Sequence, residues 1–285
     1  MVDPAMIKSN SRRKLKIGIV GCGAIGGSLA GIILKEFGKE MRIAAIFDLR
    51  RESALALARR LNLPGKADVS SDLSGLINAS DLVVEAASAL ASYDIARKCL
   101  KSGRSVMIMS VGGIVEKAGL LMRAAEASGA RIFVPSGALA GIDALKAAAG
   151  ARIRSVTLTT IKNPASFSGV AYLRGKNIEA GNIKKDTVLF EGSAYDAVRF
   201  FPQNINVAAV LSLAGKGARA TKVRIIASPG VKKNIHEVRI ESDAAVITSR
   251  TENVPHPHNP KTSYLAVLAA AAVLRQIARP ISIGT

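Results

Sequence analysis

The chain has 285 residues, 49% of them hydrophobic, so it is long enough to form one large or two ordinary domains with a substantial buried core. Its formal charge of +19 is typical of nucleic-acid binders, but tryptophan is absent and the four tyrosines are not interleaved with basic runs as a base-stacking surface requires. The composition therefore disfavours a nucleic-acid partner, while a charge of this sign attracts small anions.

The N-terminal segment, residues 1–15, is predicted to be a solvated arm, and the basic run "KSNSRRKLK" (8–16) leads from it into the first strand. We expect the natural start at Met6 and leave residues 1–5 out of the fold prediction. The segment has no secretory hydrophobic region, and the two cysteines, Cys22 and Cys99, lack CxxC spacing. These features indicate a cytoplasmic protein without a disulfide scaffold.

Residues 16–140 are predicted to form a dinucleotide-binding domain. Short, almost entirely apolar runs alternate with helical periodicity, as expected for strands that are buried on both faces of a parallel sheet covered by helices. The fold class is thus α/β, a Rossmann-type doubly wound sheet. The predicted strands are "KIGIVG" (16–21), "RIAAIFD" (42–48), "DLVVEAAS" (81–88), "SVMIMS" (105–110) and "RIFVPSG" (131–137).

Residues 141–262 are predicted to form a second, α+β domain for substrate binding and dimerisation. Its strands alternate apolar and polar residues, which indicates a sheet with one packed face and one open face. Helices are predicted at about 193–200, 205–216 and 262–278. The apolar run within the last of these, 262–274, is too short to span a membrane, and residues 263–285 are expected to pack back on the first domain.

A G-x-G-x-x-G pattern follows the first strand, with Gly21, Gly23 and Gly26 in "GCGAIGGSLAGIILKEF". The glycines allow a tight turn, close approach of a pyrophosphate and close packing of the following helix, whose N-terminus favours the anion. Asp48 ends the second strand, where a ribose-binding acid belongs. Arg50 and Arg51 follow it and are placed to meet a 2′-phosphate, so the cofactor is NAD or NADP. Other predicted cofactor contacts are Ala24, Ile25, Ala87 and Ser110.

Three later segments supply further candidates. The backbone of "PSGALAG" (135–141) leaves a strand end and is expected to border the nicotinamide. In "FPQNINVAA" (201–209), Asn204 suits a helix N-cap, which leaves Asn206 to hold a carboxamide or ribose. His236 is either a hydrogen-bonded histidine at a strand start or a base whose pKa is lowered by Lys232 and Lys233.

The segment "NPKTSY" places Lys261, Thr262 and Ser263 together at a helix N-terminus. There they are either a helix cap or ligands for the carboxylates of an anionic substrate. His256 and His258 lie two residues apart between prolines, but no carboxylate or cysteine at metal-ligand spacing accompanies them, so no metal site is predicted.

Taken together, "GCGAIG", "VPSGALAGIDAL", "FPQNINVAA", "NIHEVRIES" and "NPKTSYLA" resemble the L-aspartate dehydrogenase family from Lys16 to the last helix. The resemblance implies NAD- or NADP-dependent oxidation of L-aspartate to iminoaspartate, which yields oxaloacetate and ammonia and can feed NAD biosynthesis. It implies that His236 is catalytic and that Ala138 and Asn206 contact the nicotinamide side of the cofactor. It gives no role to His256 or His258. A homodimer is also expected, through the open sheet face.

Two other classes of function remain open from the sequence. One is a reductase of another aspartate-derived metabolite, similar to dihydrodipicolinate reductase or a semialdehyde dehydrogenase. The semialdehyde branch needs a thiolate in the cleft, which neither cysteine is placed to provide. The other is a non-catalytic protein that binds a cofactor or nucleic acid.

Overall fold

A computed structural model describes residues 13–63, 68–201, 206–257, 259–281 and 283–284. Apolar strands that alternate with helices form the first half of the chain, as their periodicity predicts. Its elements are β1 (Leu15–Val20), α1 (Ala24–Glu36), β2 (Met41–Phe47), α2 (Arg51–Arg60), β3 (Asp68–Val69), α3 (Leu73–Ala79), β4 (Leu82–Glu85), α4 (Ala89–Lys101), β5 (Ser105–Ile108), a 3₁₀ helix (Val111–Lys117), α5 (Ala118–Ser128) and β6 (Ile132–Phe133).

The first sheet is parallel, with strand order β3-β2-β1-β4-β5-β6. The order reverses next to β1, and in open sheets of this kind ligands bind outside the carboxyl ends of the strands at such a switch point. Both faces of the sheet are covered, because α1 and α2 pack on one side and α3, α4 and α5 on the other. The Rossmann-type prediction is confirmed, with the two-residue strand β3 as an addition to it.

The second half contains α6 (Ile142–Ala148), β7 (Ile153–Lys162), 3₁₀ turns at Pro164–Phe167 and Ala180–Asn182, α7 (Ala171–Arg174), β8 (Thr187–Ser193), α8 (Ala194–Phe200), α9 (Asn206–Ala214), β9 (Lys222–Ala227), β10 (Asn234–Ser242), β11 (Val246–Asn253), β12 (Pro255–His256), β13 (Asn259–Ser263) and α10 (Tyr264–Ala278). Its five-stranded mixed sheet has the order β11-β10-β7-β9-β8. Strands β12 and β13 form a separate hairpin.

The second sheet has one covered face, as the alternation in its strands predicts. On β7 the even-numbered residues Val156, Leu158, Thr160 and Lys162 are buried, and the intervening residues 155, 157, 159 and 161 are only partly covered. The covered face packs on α6, α8 and α9. On the other face, Arg239, Arg250 and Arg224 are exposed and pair with neighbouring glutamates.

The last helix, α10, returns to the first sheet. Val267, Ala270 and Leu274 are buried in the same cluster as Leu29 and Ile33 of α1, and Arg275 pairs with Glu36 at 2.8 Å. The chain thus crosses from the second sheet through the β12–β13 hairpin to α1, which places the start of α10 beside the first domain. Among the described residues, every helix is too short or too polar to cross a membrane.

Candidate active site

A cleft opens between the carboxyl edge of the first sheet and the covered face of the second. It brings together six residues that the sequence singles out, and its lining adds a lysine that the sequence does not. The six are Ile25, Ala138, Asn206, His236, Thr262 and Ser263, and the addition is Lys162.

The glycine loop between β1 and α1 has the geometry of a phosphate-binding turn. Gly21 has φ of +95°, and a Cβ there would lie 2.4 Å from the Ala86 carbonyl oxygen. A Cβ on Gly26 would lie 1.9 Å from the carbonyl oxygen of Gly21, so only glycine lets α1 start this close to the strand. Gly23, by contrast, faces open space. The loop can therefore receive an anion against its backbone at the start of α1, beside Ala24.

Asp48 holds the glycine loop to the end of β2. Its carboxylate accepts a hydrogen bond from the backbone N–H of Cys22 at 2.8 Å and another from that of Arg50 at 2.9 Å. Each carboxylate oxygen retains a lone pair for a ribose hydroxyl. Burial, and then the charge of Asp48, raises the pKa of the Cys22 thiol to about 12, so the thiol stays protonated and is not a nucleophile.

Ala87 and Ser110 lie beyond β4 and β5, and both are tied to a buried acid, Glu85. Their backbone N–H groups donate to the Glu85 carboxylate at 2.9 and 3.0 Å, so these two amides are already occupied. Burial raises the pKa of Glu85, while the backbone hydrogen bonds oppose that shift. Glu85 is not among the residues predicted from the sequence, although an acid that ends an otherwise apolar strand is a visible signal.

Asn206 is the first residue of α9, and its side chain reaches across to the first domain. The side-chain oxygen accepts a hydrogen bond from the N–H of Gly112 at 3.0 Å. Because this hydrogen bond uses the side-chain oxygen, the side-chain NH₂ group of Asn206 is left to donate to a ligand. Asn204, the predicted N-cap, lies outside the described residues, as does His258.

His236 lies on β10 with 4% of its surface exposed. Its Nδ1 is 3.0 Å from the hydroxyl of Thr160, the residue directly opposite on β7. Burial, and then the charge of Lys162, lowers the pKa of His236 to about 3. The sequence correctly suggests a cation that lowers this pKa, but it names the wrong lysines: Lys232 and Lys233 are exposed, and Lys233 pairs with Glu252.

Lys162, the last residue of β7, is 6% exposed and lies on the same face as Thr160. Burial lowers its pKa to about 8, so it is still mostly cationic at neutral pH. A buried ammonium at the wall of a cleft is well suited to bind a carboxylate. The period-two alternation of β7 puts residue 162 on the inward face, and this is the signal that could have identified it.

The three predicted substrate-binding residues, Lys261, Thr262 and Ser263, have different surroundings in the structure. Ser263 lies at the N-cap position of α10, but its side chain makes no cap hydrogen bond and instead donates to Asn253 at 2.8 Å. Thr262 accepts a hydrogen bond from Asn259 at 3.3 Å. The backbone of Lys261 belongs to β13, and its side chain is outside the described part of the chain.

His256 is buried beside α1 and lies on the hairpin, away from the lining of the cleft. It is 2% exposed, its Nε2 is 2.9 Å from the hydroxyl of Ser28, and its ring packs edge-on against Tyr264. Within the described residues, no group of three or more histidine, cysteine, aspartate or glutamate side chains is placed to hold a metal ion.

Comparison with known proteins agrees with this architecture. Residues 143–277 match the family model described as "Aspartate dehydrogenase, C-terminal", and residues 21–135 match "Homoserine dehydrogenase, NAD binding domain". The L-aspartate dehydrogenase of Methanococcoides burtonii is 46% identical over 274 residues, which cover 95% of this chain and 100% of that protein. That of Methanocaldococcus jannaschii is 38% identical over 274 residues, with the same coverage.

Solved structures give the same result. Aspartate dehydrogenase from Thermotoga maritima superposes with a TM-score of 0.72 at 28% identity, over 95% of this chain and 100% of that one. A hyperthermophilic archaeal homoserine dehydrogenase in complex with NADPH has a TM-score of 0.59 at 15% identity, over 94% and 99%, which is a likeness of fold alone.

Proposed function

The chain belongs to the aspartate dehydrogenase family, and from that premise we propose that it oxidises L-aspartate to iminoaspartate with NAD or NADP. Water then hydrolyses the imine to oxaloacetate and ammonia. The observation that supports this most strongly is the pairing of a buried lysine and a neutral histidine, Lys162 and His236, on the cleft wall opposite the glycine loop.

The residues of the first domain fit a dinucleotide. The backbone at Gly23 and Ala24 binds the pyrophosphate, Asp48 accepts from the adenosine ribose, and the amide of Asn206 and the loop at Ala138 border the nicotinamide. When bound, the cofactor supplies a hydride acceptor for the Cα–H of the substrate. Arg50 and Arg51, both exposed just beyond Asp48, are placed to accommodate a 2′-phosphate as well.

Lys162 anchors one carboxylate of the substrate. Its ammonium is held at the wall by β7, and the low polarity that depresses its pKa also strengthens its attraction to an anion. Thr262 lies across the cleft with its hydroxyl oxygen accepting from Asn259, so its own proton is free to donate to a carboxylate.

His236 takes the proton that the amino group must lose. In the Nδ1–H tautomer it donates to Thr160, which leaves the lone pair of Nε2 to accept a proton. A pKa of about 3 makes it a weak base before substrate binds. Two incoming carboxylates offset the charge of Lys162 and raise that pKa, so substrate binding itself activates the base.

Assembly and place in the cell are further parts of the proposal. The exposed face of the second sheet presents alternating arginines and glutamates, such as Arg250 between Glu237 and Glu252. In a two-fold symmetric dimer this face would pack against the same face of a second copy, with arginines opposite glutamates. We therefore propose a homodimer that forms through this face. Action in the cytoplasm, with the imine available for NAD biosynthesis, completes the proposal.

The test is a spectrophotometric assay of NAD and NADP reduction across a panel of L- and D-amino acids. We expect turnover with L-aspartate, and we expect His236→Ala to lower kcat by about 10²-fold or more while cofactor affinity changes little. His256→Ala is the matched control, since that histidine lies outside the cleft lining, and its loss of kcat should be far smaller. Turnover of a different metabolite, or of none, would contradict the proposal.

A further inference from the structure

Asn253 joins two walls of the cleft. It is the last residue of β11 and is 3% exposed. Its side-chain nitrogen is 3.2 Å from the carbonyl oxygen of Ala138, and its side-chain oxygen is 2.8 Å from the hydroxyl of Ser263. One amide therefore bridges the loop beside the nicotinamide position and the junction between β13 and α10.

The direction of both hydrogen bonds follows from the chemistry of the groups. A backbone carbonyl can only accept, so the NH₂ of Asn253 must face Ala138. The hydroxyl of Thr251, 3.3 Å from that NH₂ and 3.1 Å from the same carbonyl, gives the amide nitrogen a second acceptor. The amide oxygen therefore faces Ser263. Since that oxygen can only accept, Ser263 must donate its single proton to Asn253.

Ser263 consequently offers only lone pairs to the cleft. Its side chain does not cap α10, so no backbone N–H of that helix uses those lone pairs. A carboxylate has no proton to share with such an oxygen, whereas an amine has. Lys162 and the N-terminal end of the 15-residue helix α10 add positive potential, which disfavours an ammonium and favours the neutral amine that hydride loss requires.

Resting on the proposed function, we infer that Ser263 accepts a hydrogen bond from the amino group of the substrate. Asn253 is the positioning residue that fixes this polarity by engaging the serine proton. Ser263 is thus separated in role from Thr262 and Lys162, which face carboxylates. Ala138, Asn253 and Ser263 form a three-residue hydrogen-bond relay. At its end the Ser263 oxygen can only accept, and in this way the site distinguishes the amino group of its substrate from the carboxylates.

The test compares two ligands that share both carboxylates and differ in the amine, L-aspartate and succinate. Their dissociation constants are measured on the NADH complex, in which aspartate cannot be oxidised. For Ser263→Ala we expect the affinity for aspartate to fall about tenfold, the scale of one hydrogen bond to a polar partner in a buried site. The affinity for succinate and for NADH should stay within twofold of the unmodified protein.

Asn253→Ala should lower the ratio of aspartate to succinate affinity in the same direction, and the double variant should lower that ratio no further than Ser263→Ala alone. Ser249→Ala is the matched control. Ser249 lies on the same strand and donates to the neighbouring carbonyl of Ala140 at 2.9 Å, without touching Ser263. It should leave the ratio unchanged. If Asn253→Ala does not fold, Ser263→Ala and the control still decide the question.

Three results would overturn the inference. Equal weakening of aspartate and succinate would mean that Ser263 donates to a carboxylate. Weakening of NADH alone would mean that the acceptor serves the cofactor. Unchanged affinities throughout would mean that Ser263 contacts neither. Failure of the unmodified protein to turn over aspartate is a separate result, because it contradicts the proposed function and is seen before any variant is made.

Discussion

Lys162 and His236 are buried on neighbouring strands, and the charge of Lys162 helps to keep His236 neutral. Both side chains lie on the covered face of the second sheet, where the charged form of each is disfavoured. Of the two, lysine starts with the higher pKa and so keeps its proton at neutral pH, which makes protonation of the histidine harder still. The cleft thereby holds one cation and one neutral base, as the oxidation of an anionic amino acid requires.

Replacing Lys162 should cost activity and increase stability. Because folding lowers its pKa from 10.5 to about 8, the unfolded chain binds the proton more tightly. The contribution of this group to stability is present above pH 10.5 and is lost as the pH falls to about 8. At pH 7 the folded protein bears the full cost, so Lys162→Met should raise the free energy of unfolding by about 1–3 kcal/mol.

Urea unfolding at pH 7 and at pH 10 measures this effect, and the advantage of the variant should shrink at the higher pH. Turnover of aspartate should fall by at least about 10²-fold, the scale of a lost electrostatic contact in a catalytic site. Lys222→Met, on the exposed face of β9, is the control and should change neither property. A less stable Lys162→Met protein at pH 7 would show that the lysine is structural.

Asp48 is expected to set cofactor preference. In the proposed cofactor site its carboxylate lies beside the adenosine ribose, and Asp48→Ala also removes the hydrogen bonds to the N–H groups of Cys22, in the glycine loop, and of Arg50. NAD affinity should therefore fall by about 1–3 kcal/mol, the cost of losing charged hydrogen bonds, and NADP should gain relative to NAD because repulsion of a 2′-phosphate disappears.

Fluorescence titration with NADH and NADPH measures both affinities for Asp48→Ala. Asp72→Ala is the matched control, because Asp72 also accepts a backbone N–H, that of Gly75 at 2.8 Å, but caps α3 away from the glycine loop. It should lower stability by about 1 kcal/mol without altering either cofactor affinity. An unchanged NADPH to NADH ratio in Asp48→Ala would remove Asp48 from the ribose site.

At the scale of elements, the sequence predicts the turns and strands whose structure depends on residues close together in the chain. The glycine loop is visible in the sequence because its turn and the following helix lie within six residues of one another. Strands β7, β9, β10 and β11 are visible through their alternation. The two-residue strand β3 has too little length for a period, and β8 shifts register between Val188 and Phe190, which interrupts its alternation. The prolines of the β12–β13 hairpin disguise its strands in the same way.

The relay at Asn253 could not be predicted for a different reason. Its hydrogen bond to Ala138 joins residues 115 positions apart, and its bond to Ser263 runs across a strand end and a hairpin. No periodicity encodes such a contact. The position of Lys162 could be predicted in part. Its inward direction follows from the alternation along β7, but its burial depends on elements that are distant in the sequence and pack on that face.

The β12–β13 hairpin is expected to depend on His256. This histidine is buried against α1 through Ser28 and against the start of α10 through Tyr264. His256→Ala removes a buried ring and leaves the Ser28 hydroxyl without that partner, so the free energy of unfolding should fall by about 2–4 kcal/mol. Because the hairpin leads directly to Thr262, the KM for aspartate should rise more than kcat falls.

Guanidinium unfolding and steady-state kinetics provide the two measurements. Ser28→Ala is the companion variant, and the double-mutant cycle should show a coupling between the two sites of about 1 kcal/mol. Independent effects of the two substitutions would indicate that the hydrogen bond contributes nothing and that His256 acts only by filling space.

At the scale of the whole molecule, two helices join the sheets around the cleft. Helix α9 packs on both, since Ala209 and Val210 join the core of the first sheet while Ala208 and Leu211 join that of the second. Helix α10 returns to α1 on the far side of the cleft. These two helices connect the domain that carries the glycine loop to the sheet that carries Lys162 and His236, so the proposed cofactor and substrate residues come from segments that are far apart in the sequence.

The charge of +19 belongs to the molecule as a whole, and its expected effect is on association rather than on chemistry. Aspartate and the dinucleotide are both anionic, so the field of the protein should draw them toward the cleft. The Debye length shortens from about 30 Å at 0.01 M salt to about 3 Å at 1 M. We therefore expect kcat/KM for aspartate to fall about tenfold or more across this range while kcat changes less than twofold.

Steady-state kinetics in sodium chloride measure this dependence, and sodium sulfate at equal ionic strength is the control. Screening depends on ionic strength and should give matching curves in the two salts, whereas competition for the carboxylate site at Lys162 would make sulfate the stronger inhibitor. A kcat/KM that does not respond to either salt would show that the positive charge has no part in substrate capture. Steep salt-dependent retention on DNA would then assign it to a polyanionic partner, as counterion release requires.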